Sequence, residues 1–500
     1  VMGDPNWGAD ERFGTKADRA RNWGELHPLI TEWSVSHPKQ WIYETAQDAH
    51  VPSFPLATPG DLLESAQLLH RGFFTEFEHP TAGPLRRPGV PYTVHRSSNG
   101  RSAGASYQSP GIIPRTGGLS GIRVLDLSWV IAGPTCTRYL AALGADVIKV
   151  ETSSRADPGR ASALHAILGK SKRAITLNLK QPEAVEVAHR LVAECDVVVE
   201  NFATGVLDRL GLDYESLSEI RPDIVLLSAS GLGRTGPDAG RVAYGTLIQC
   251  YTGFASLNGY QNTLPRVGWA WADPLCGLKM AFAIGATLRH RARTHEGAHI
   301  DFSMVESLLS TMPGPLIDHQ SGRTSLGQIG NDDPEIYPHG VYACAGDDEW
   351  VAISTASPGE WETLCTIIPE LIARSSDSLK IRMRDAAQID RVITTWTSTR
   401  SAREATLTLQ SAGVSAAPSP DSTELFWDAH LQERGFYANS TDMDGSNRVL
   451  PGLPWQWTSG ERPVQAPASE LGADTDAVLV DVLGMTDMEI AELRHTGALT

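Results

Sequence analysis

The feature that most restricts what this chain can fold into is a run of short apolar segments alternating with amphipathic ones between residues 121 and 312. Gly121–Ser128, GIRVLDLS, is rich in Val, Leu and Ile and reads as a buried strand. GPTCTRYLAALGA follows with helical spacing and is closed by Gly144. DVIKVE returns to strand, AVEVAHRLVAECD is an amphipathic helix, VVVEN and IVLLSAS are further strands, and HIDFSMVESLLSTM is a strand running into a helix. Strand, helix, strand at this spacing predicts an α/β fold with a parallel sheet and βαβ crossovers. Ligands of such sheets bind outside the carboxyl ends of the strands. That selects Ser128–Pro134, Glu151, Asn201–Phe202 and Ser230–Gly233 as the segments to inspect for a site.

Gly231–Gly236, GLGRTG, fits the spacing of a dinucleotide-binding loop and follows a strand. Pro237, Asp238 and Gly240 come next, however, where the fingerprint needs a helix whose N-terminus holds a pyrophosphate. The stretch therefore reads as a glycine-rich turn. A nicotinamide-dependent oxidoreductase is a weak reading, which NAD(P)H binding would test.

From Asp348 the rhythm changes. DEWVAIS, PGEWETLCTII and IDRVITTWTS describe a smaller unit of a strand and amphipathic helices. The closing TDMEIAELRHTGA predicts a terminal helix with Thr486 as N-cap and Glu489 at the capping-box position.

The chain also repeats itself. An offset of 363 residues relates Arg71 to Arg434, Pro88 to Pro451, Trp33 to Trp396 and Val51 to Val414, without a gap. RGF at Arg71–Phe73 returns at Arg434–Phe436, and PGVP at Pro88–Pro91 returns as PGLP. The second copy ends a unit that begins near Leu119, whereas the first has no such beginning ahead of it. HRSSNGRSAGASYQSPGIIPRTGG, rich in Ser, Gly and Pro, reads as an interdomain linker between them.

Composition narrows the function. The net charge of −17 argues against a nucleic-acid partner, since phosphate backbones are bound by Lys and Arg. No run of about 18 apolar residues marks a membrane span. VMGDPNWGADERF lacks the basic and apolar regions of a signal peptide. The six scattered cysteines form no CxxC pair and no zinc pattern, so reduced thiols, a cytoplasmic setting and no metal are expected.

Asp273 lies in VGWAWADPLCGLKMAFAIGATLRHR, between two tryptophans and a long apolar stretch. Asp-Pro ahead of such a stretch is an ordinary helix start, with Asp as N-cap and Pro at N1. On spacing alone the cap is the better reading; the resemblance below reverses it, and a helix N-terminus would favour a carboxylate in either role.

Taken together, LSGIRVLDLSWVIAGPTCTRYLAALGADVIKVE, VVVENFATGVLDRLGLDYESL, SASGLGRTGP, HEGAHIDFSMVESLL, GDDEWVAIS and DMEIAELRHTGAL resemble the family III CoA-transferases (CaiB/BaiF type), whose relatives include α-methylacyl-CoA racemase. The resemblance covers residues 119–500, and 12–94 resembles the family's C-terminal part. It implies a Rossmann-like large domain plus a smaller α+β domain, in subunits that interlock as dimers. The domains expected are then 1–95, the tail of a first, incomplete module; 96–118, the linker; 119–330, the large domain; 331–435, the small domain; and 436–500, a return to the large domain. A homodimer, or an intramolecular pseudo-dimer with a second module, follows.

The resemblance also implies chemistry. An aspartate at the position of Asp273 attacks an acyl-CoA thioester to give a mixed anhydride, then an aspartyl-CoA thioester from which a carboxylic acid takes CoA. Water must be excluded, and Trp269 and Trp271 are candidates for an apolar wall. Acyl-CoA and a carboxylic acid are the substrates, with no tightly bound cofactor. Trp129, Val130, Ile131 and Ala132 match the segment that lies along CoA. Leu177, Asn201, Phe202 and Arg209 match positions around its adenine and phosphates, and Ala243 and Tyr244 complete the CoA-binding set. Lys172 and Arg173 match a basic pair that would add positive charge.

Two positions depart from formyl-CoA transferase, and a third from some members of the family. Ile131 stands for a catalytic glutamine, Gly245 for an acidic residue, and Thr152 for an arginine that contacts CoA in some members. An apolar Ile131 cannot hydrogen-bond a small carboxylate, so a larger, more apolar acyl group is expected rather than formate or oxalate. Two rivals remain. A racemase would use a His/Asp pair for proton exchange, but Tyr244 takes the histidine position. A catalytically degenerate CoA-binding half of a tandem protein would explain Ile131 and Gly245, though not Asp273.

Overall fold

The computed structural model describes residues 1–96, 117–155, 157–160, 162–323, 327–441, 445, 447–458 and 466–500. Most of the expected linker, residues 97–116, lies outside the described residues.

Six parallel strands form the centre of the large domain: β4 (Arg123–Asp126), β5 (Asp146–Glu151), β6 (Lys172–Thr176), β7 (Val197–Glu200), β8 (Val225–Ser230) and β9 (Ala298–Ser303). Their residues are apolar in unbroken runs because both faces of the sheet are covered. Val124, Val147, Val197 and Leu227 pack on one face against Cys136, Leu140, Met280 and Ile284 of the helices Ala132–Ala142 and Ala272–Thr294. Leu125, Ile148, Val198 and Leu226 point the other way, onto the helix Pro182–Ala193 and onto Val478, Leu479, Ile490 and Leu499 near the carboxyl terminus. The terminal helix Asp487–His495 carries the expected capping box of Thr486 and Glu489.

With β3 spanning Tyr92–His95, the strand order is β3-β9-β8-β7-β4-β5-β6. The chain runs outward from β4 to β6 on one side and from β7 to β9 on the other. A crevice therefore opens beyond the carboxyl ends of β4 and β7. The seventh strand, β3 (Tyr92–His95), was not apparent in the sequence. It comes from the N-terminal segment and pairs antiparallel with β9, placing Tyr92 opposite Phe302.

A second core, from Tyr337 to Val414, surrounds the three-stranded sheet β10 (His339–Ala343), β11 (Trp350–Ser354) and β12 (Ser415–Pro418), with Trp361 at its centre. The unit opens at β10, ahead of the strand legible in DEWVAIS.

Elements related by the 363-residue offset have matching bounds. Helix Trp23–Ser34 corresponds to Ala386–Thr397, Lys39–Asp48 to Ala402–Ser411, and Ala66–His70 to Ala429–Glu433. The hairpin β1 (Phe74–His79) and β2 (Gly83–Pro88) pairs Phe74 with Pro88. The hairpin β13 (Tyr437–Thr441) and β14 (Asn447–Pro451) pairs Tyr437 with Pro451. Their surroundings differ. Leu62 is buried in the large-domain core, whereas its counterpart Leu425 is 41% exposed.

Candidate active site

Asp273 falls in the first turn of the 23-residue helix Ala272–Thr294, one residue inside its start. Trp271 occupies the N-cap position and no side chain caps the helix. The cap expected from Asp-Pro is therefore not the role of Asp273. Among the described residues, no hydrogen bond or ion pair engages its carboxylate. Burial without a compensating partner pushes its pKa up to about 6.

The carboxylate stands against Gly245, the first residue of the helix Gly245–Tyr251. A Cβ at Gly245 would lie 2.2 Å from Asp273 Oδ2. The glycine that departs from formyl-CoA transferase is thus what leaves room for this carboxylate. Gly245→Ala is expected to turn the carboxylate away and slow turnover by roughly 10- to 100-fold, the usual cost of misplacing a reacting group by about 1 Å. CoA affinity, measured by calorimetry, should stay unchanged.

Trp271, the expected apolar wall, is half-buried and packs edge-on to Phe254 with centroids 5.1 Å apart. Trp269 does not share that role, because its side chain is 93% exposed.

The helices Ala132–Ala142 and Ala272–Thr294 pack together at their first turns. Gly277, one turn beyond Asp273, is so close to the Ala132 carbonyl that a Cβ would sit 2.8 Å from it. This brings Trp129, Val130, Ile131 and Ala132 to the same end of the helix pair as Asp273. The loop is held from two sides. Asn201, at the end of β7, accepts a hydrogen bond from the Trp129 N–H and donates one to the Trp129 carbonyl, both 2.9 Å. Asp157 accepts from the Val130 N–H at 3.1 Å. Val130 has φ +66°, a conformation a β-branched residue adopts only when its surroundings impose it. Asn201 therefore acts on the loop itself. Ile131 precedes the helix and is half-buried.

Ala243 and Tyr244 lead into Gly245, and Tyr244 is 55% exposed. The Phe202 N–H donates to Glu200, and its ring lies partly buried against the core. Arg209 is exposed on the short helix Val206–Leu210, and its guanidinium has no hydrogen bond or ion pair among the described residues. The Leu177 side chain is buried in the core and its N–H donates to the Glu151 carbonyl, so it does not line the crevice.

The basic pair is committed elsewhere. Lys172 is buried and donates to Asp126 at 3.1 Å, the Pro134 carbonyl at 2.9 Å and Thr137 at 2.6 Å. Burial opposes the Asp126 charge, yet Lys172 and Lys149 hold that carboxyl at about 2. Arg173 pairs with Asp146. The Thr152 hydroxyl donates to the Thr500 carbonyl at 2.7 Å.

Two residues were missed in the sequence. Arg155 stacks its guanidinium 4.4 Å from the Trp129 ring centroid, and Asp157 fixes Val130. Both lie just past the carboxyl end of β5, where loops of such sheets gather, and that position was their only signal. No group of His, Cys, Asp and Glu among the described residues could hold a metal ion, and no helix there is long and apolar enough to cross a membrane.

The family profile described as CoA-transferase family III matches residues 1–105 and 119–475. The chain belongs to CoA-transferase family III. This places it among enzymes of the CoA-transferase type. It is 32% identical to the succinate–glutarate CoA-transferase of Agrobacterium fabrum, over 73% of this chain and 95% of that protein. It is 28% identical to the probable CoA-transferase Rv1866 of Mycobacterium tuberculosis over 98% of this chain, which spans 66% of that protein's length. Among solved structures it is similar to a CaiB/BaiF family protein from Brucella suis. The TM-score is 0.66 and the identity 29%, covering 74% of this chain and 100% of that one.

Proposed function

We propose that this family III member moves CoA from an acyl-CoA donor to a carboxylic acid through covalent intermediates on Asp273. The observation that carries the reading is the partly buried Asp273 carboxylate, unpartnered among the described residues, which faces the side-chain-free Gly245 at the same end of the helix pair as the strained Trp129–Ala132 loop. Without hydrogen-bond donors its lone pairs are available for attack, and water is partly excluded.

An Asp273 oxygen adds to the thioester carbonyl, the C–S bond breaks, and CoA leaves as thiolate. The thiolate attacks the aspartyl carbonyl of the mixed anhydride and expels the donor acid, leaving an aspartyl-CoA thioester. The acceptor carboxylate then displaces the thiolate, which attacks the acceptor carbonyl of the new anhydride and frees Asp273. The side chains of Ile131 and Gly245 provide no hydrogen bond to a one- or two-carbon acid, which favours a larger acyl group. Proton exchange at an α-carbon would lack its histidine, with Tyr244 in that place.

The test is a covalent trap. The protein is incubated with succinyl-CoA, glutaryl-CoA and a series of longer acyl-CoAs, quenched with hydroxylamine, and the Asp273 peptide is weighed. A hydroxamate at Asp273 that is absent from Asp273→Ala supports transfer through this carboxylate. No adduct with any donor, in protein shown to bind CoA, would leave a CoA-binding half.

The CoA path in this reading runs along Trp129–Ala132 with Arg155 beside it, and its phosphates reach Phe202 and Arg209, which is unpaired among the described residues. Arg209→Met is expected to raise KM for acyl-CoA about tenfold, the worth of one charged hydrogen bond, with kcat unchanged in steady-state assays.

We also read residues 1–95 as the tail of a preceding module, which the two profile matches and the shared 363-residue offset support. Each large domain offers one free edge at its β9, and here β3 fills it. Residues 455–458, the counterpart of β3, form no strand. They would then dock on a second large domain, in a partner copy or in the same polypeptide. A single-chain mass in light scattering at every concentration, with freely exchanging amides at 455–458, would sink this reading.

A further inference from the structure

The proposed chemistry uses nothing from residues 1–95, yet two of the most buried polar side chains of that segment end on the loop that faces Asp273. Gln67, on the helix Ala66–His70, donates to the carbonyls of Leu232 and Thr235, both at 2.8 Å, and accepts from the Asp238 N–H at 2.8 Å. Gln47, on the helix Lys39–Asp48, donates to the carbonyls of Ser53 at 2.8 Å and Val242 at 3.0 Å. It accepts from the Val242 N–H at 2.9 Å. A carboxamide is the neutral side chain that offers donors and an acceptor in one plane, so it can satisfy backbone carbonyls and N–H groups together. An irregular loop packed under another segment needs such pairing, because its polar groups have lost water.

The loop is shaped to receive these side chains. A Cβ at Gly233 would lie 2.3 Å from the Arg71 guanidinium, and one at Gly236 would lie 2.4 Å from the Gln67 carboxamide oxygen. Both glycines have positive φ, +89° and +98°. GLGRTG is thus a socket for the face of Gln67 and Arg71, four residues apart on one turn. At the other end, three residues past the Gln47 latch on Val242, Gly245 meets Asp273.

We infer that Gln67 and Gln47 are positioning residues for the nucleophile, latching the 232–242 loop so that Tyr244 and Gly245 close against Asp273. This rests on the reading of Asp273 as nucleophile. The test uses the full chain carrying Gln67→Met or Gln47→Met, which keep the volume and remove the hydrogen bonds. Hydrogen exchange read by mass spectrometry should show amides of 232–249 exchanging about tenfold faster, the loss of roughly one hydrogen bond, with β4–β8 unchanged. The rate of hydroxamate formation at Asp273, with the acyl-CoA that loads wild type fastest, should fall roughly 10- to 100-fold. KM for that acyl-CoA should stay within about twofold, a split that general destabilisation would not produce. Wild-type loading rates, or loop exchange that does not change, would overturn the inference. If the wild type gives no hydroxamate at Asp273, the nucleophile reading fails, and the exchange data still decide whether the latch exists. Should Gln67→Met not fold, Gln47→Met carries the same test from the far end of the loop.

Discussion

Asp273→Ala is expected to lower turnover by about 10⁴-fold while leaving CoA binding intact, because the residue lost is the one that forms the covalent bonds. In the wild type, the loading rate should rise with pH and level off above about 6, where the carboxylate becomes the ionised nucleophile. Stability should move the opposite way. Burial raises this carboxyl from 3.8 to about 6 in the folded protein. The folded state therefore holds the proton more tightly than the unfolded chain. The group costs nothing below the unfolded value, and its penalty grows from there until it is complete above about 6. Two units correspond to about 3 kcal/mol as an upper bound, since the side chain is only partly buried. Asp273→Asn, neutral in both states, should then be more stable than wild type in urea at pH 7.5 and equal to it at pH 3.5. Such a gain on removing a reactive group is the expected trade of stability for function. Equal stability at both pH values would mean that the carboxylate is solvated, and the argument for a desolvated nucleophile would fail.

The parts of this site that were legible in the sequence are those that depend on neighbours along the chain. The strands β4, β5, β7 and β8 announced themselves because a doubly covered sheet needs unbroken Val, Leu and Ile. Their carboxyl ends then located Trp129 and Asn201. GLGRTG was recognisable as a turn from Pro237 and Gly240, but the reason for its glycines was not. Gly233 and Gly236 answer to Arg71 and Gln67, more than a hundred residues away, and local sequence carries no trace of such a contact. The edge strand β3 was hidden for the same reason, since its partner β9 comes from the other end of the large domain. Lys172 looked available to add positive charge to the site because position alone does not reveal Asp126 beneath it. Asp273 looked like a cap because Asp-Pro usually is one. That Trp271 takes the N-cap position, two residues earlier than the Asp-Pro pattern suggests, leaves the carboxylate without the hydrogen bonds that would have quieted it.

Arg71→Met is expected to be the most destabilising single change considered, by about 3–5 kcal/mol, the cost of stranding buried charge. Arg71 is buried and bonds Glu306 and Asp301, the latter at 2.6 Å, tying the N-terminal segment to β9 and the helix Met304–Leu309. The Arg234 N–H also donates to Asp301, at 2.8 Å, so Asp301 keeps one partner in the variant. Glu306 keeps none of its Arg71 bonds. Burial already pushes Glu306 up to about 7 against the pull of Arg71, and without the guanidinium that pull is gone. A carboxyl raised in the folded state loses stability as pH rises. The deficit of Arg71→Met should therefore be smaller at pH 5.5, where Glu306 takes a proton, and larger at pH 8.5, where both carboxylates are charged. Urea unfolding at the two pH values reads this directly. Adding Glu306→Gln to Arg71→Met should recover much of the loss at pH 8.5 and little at pH 5.5. A loss below about 1 kcal/mol, or one independent of pH, would mean that the N-terminal segment is held by Leu62, Leu68 and Phe73 alone. The ion cluster would then set the register of Arg71 on the Gly233 turn without anchoring it.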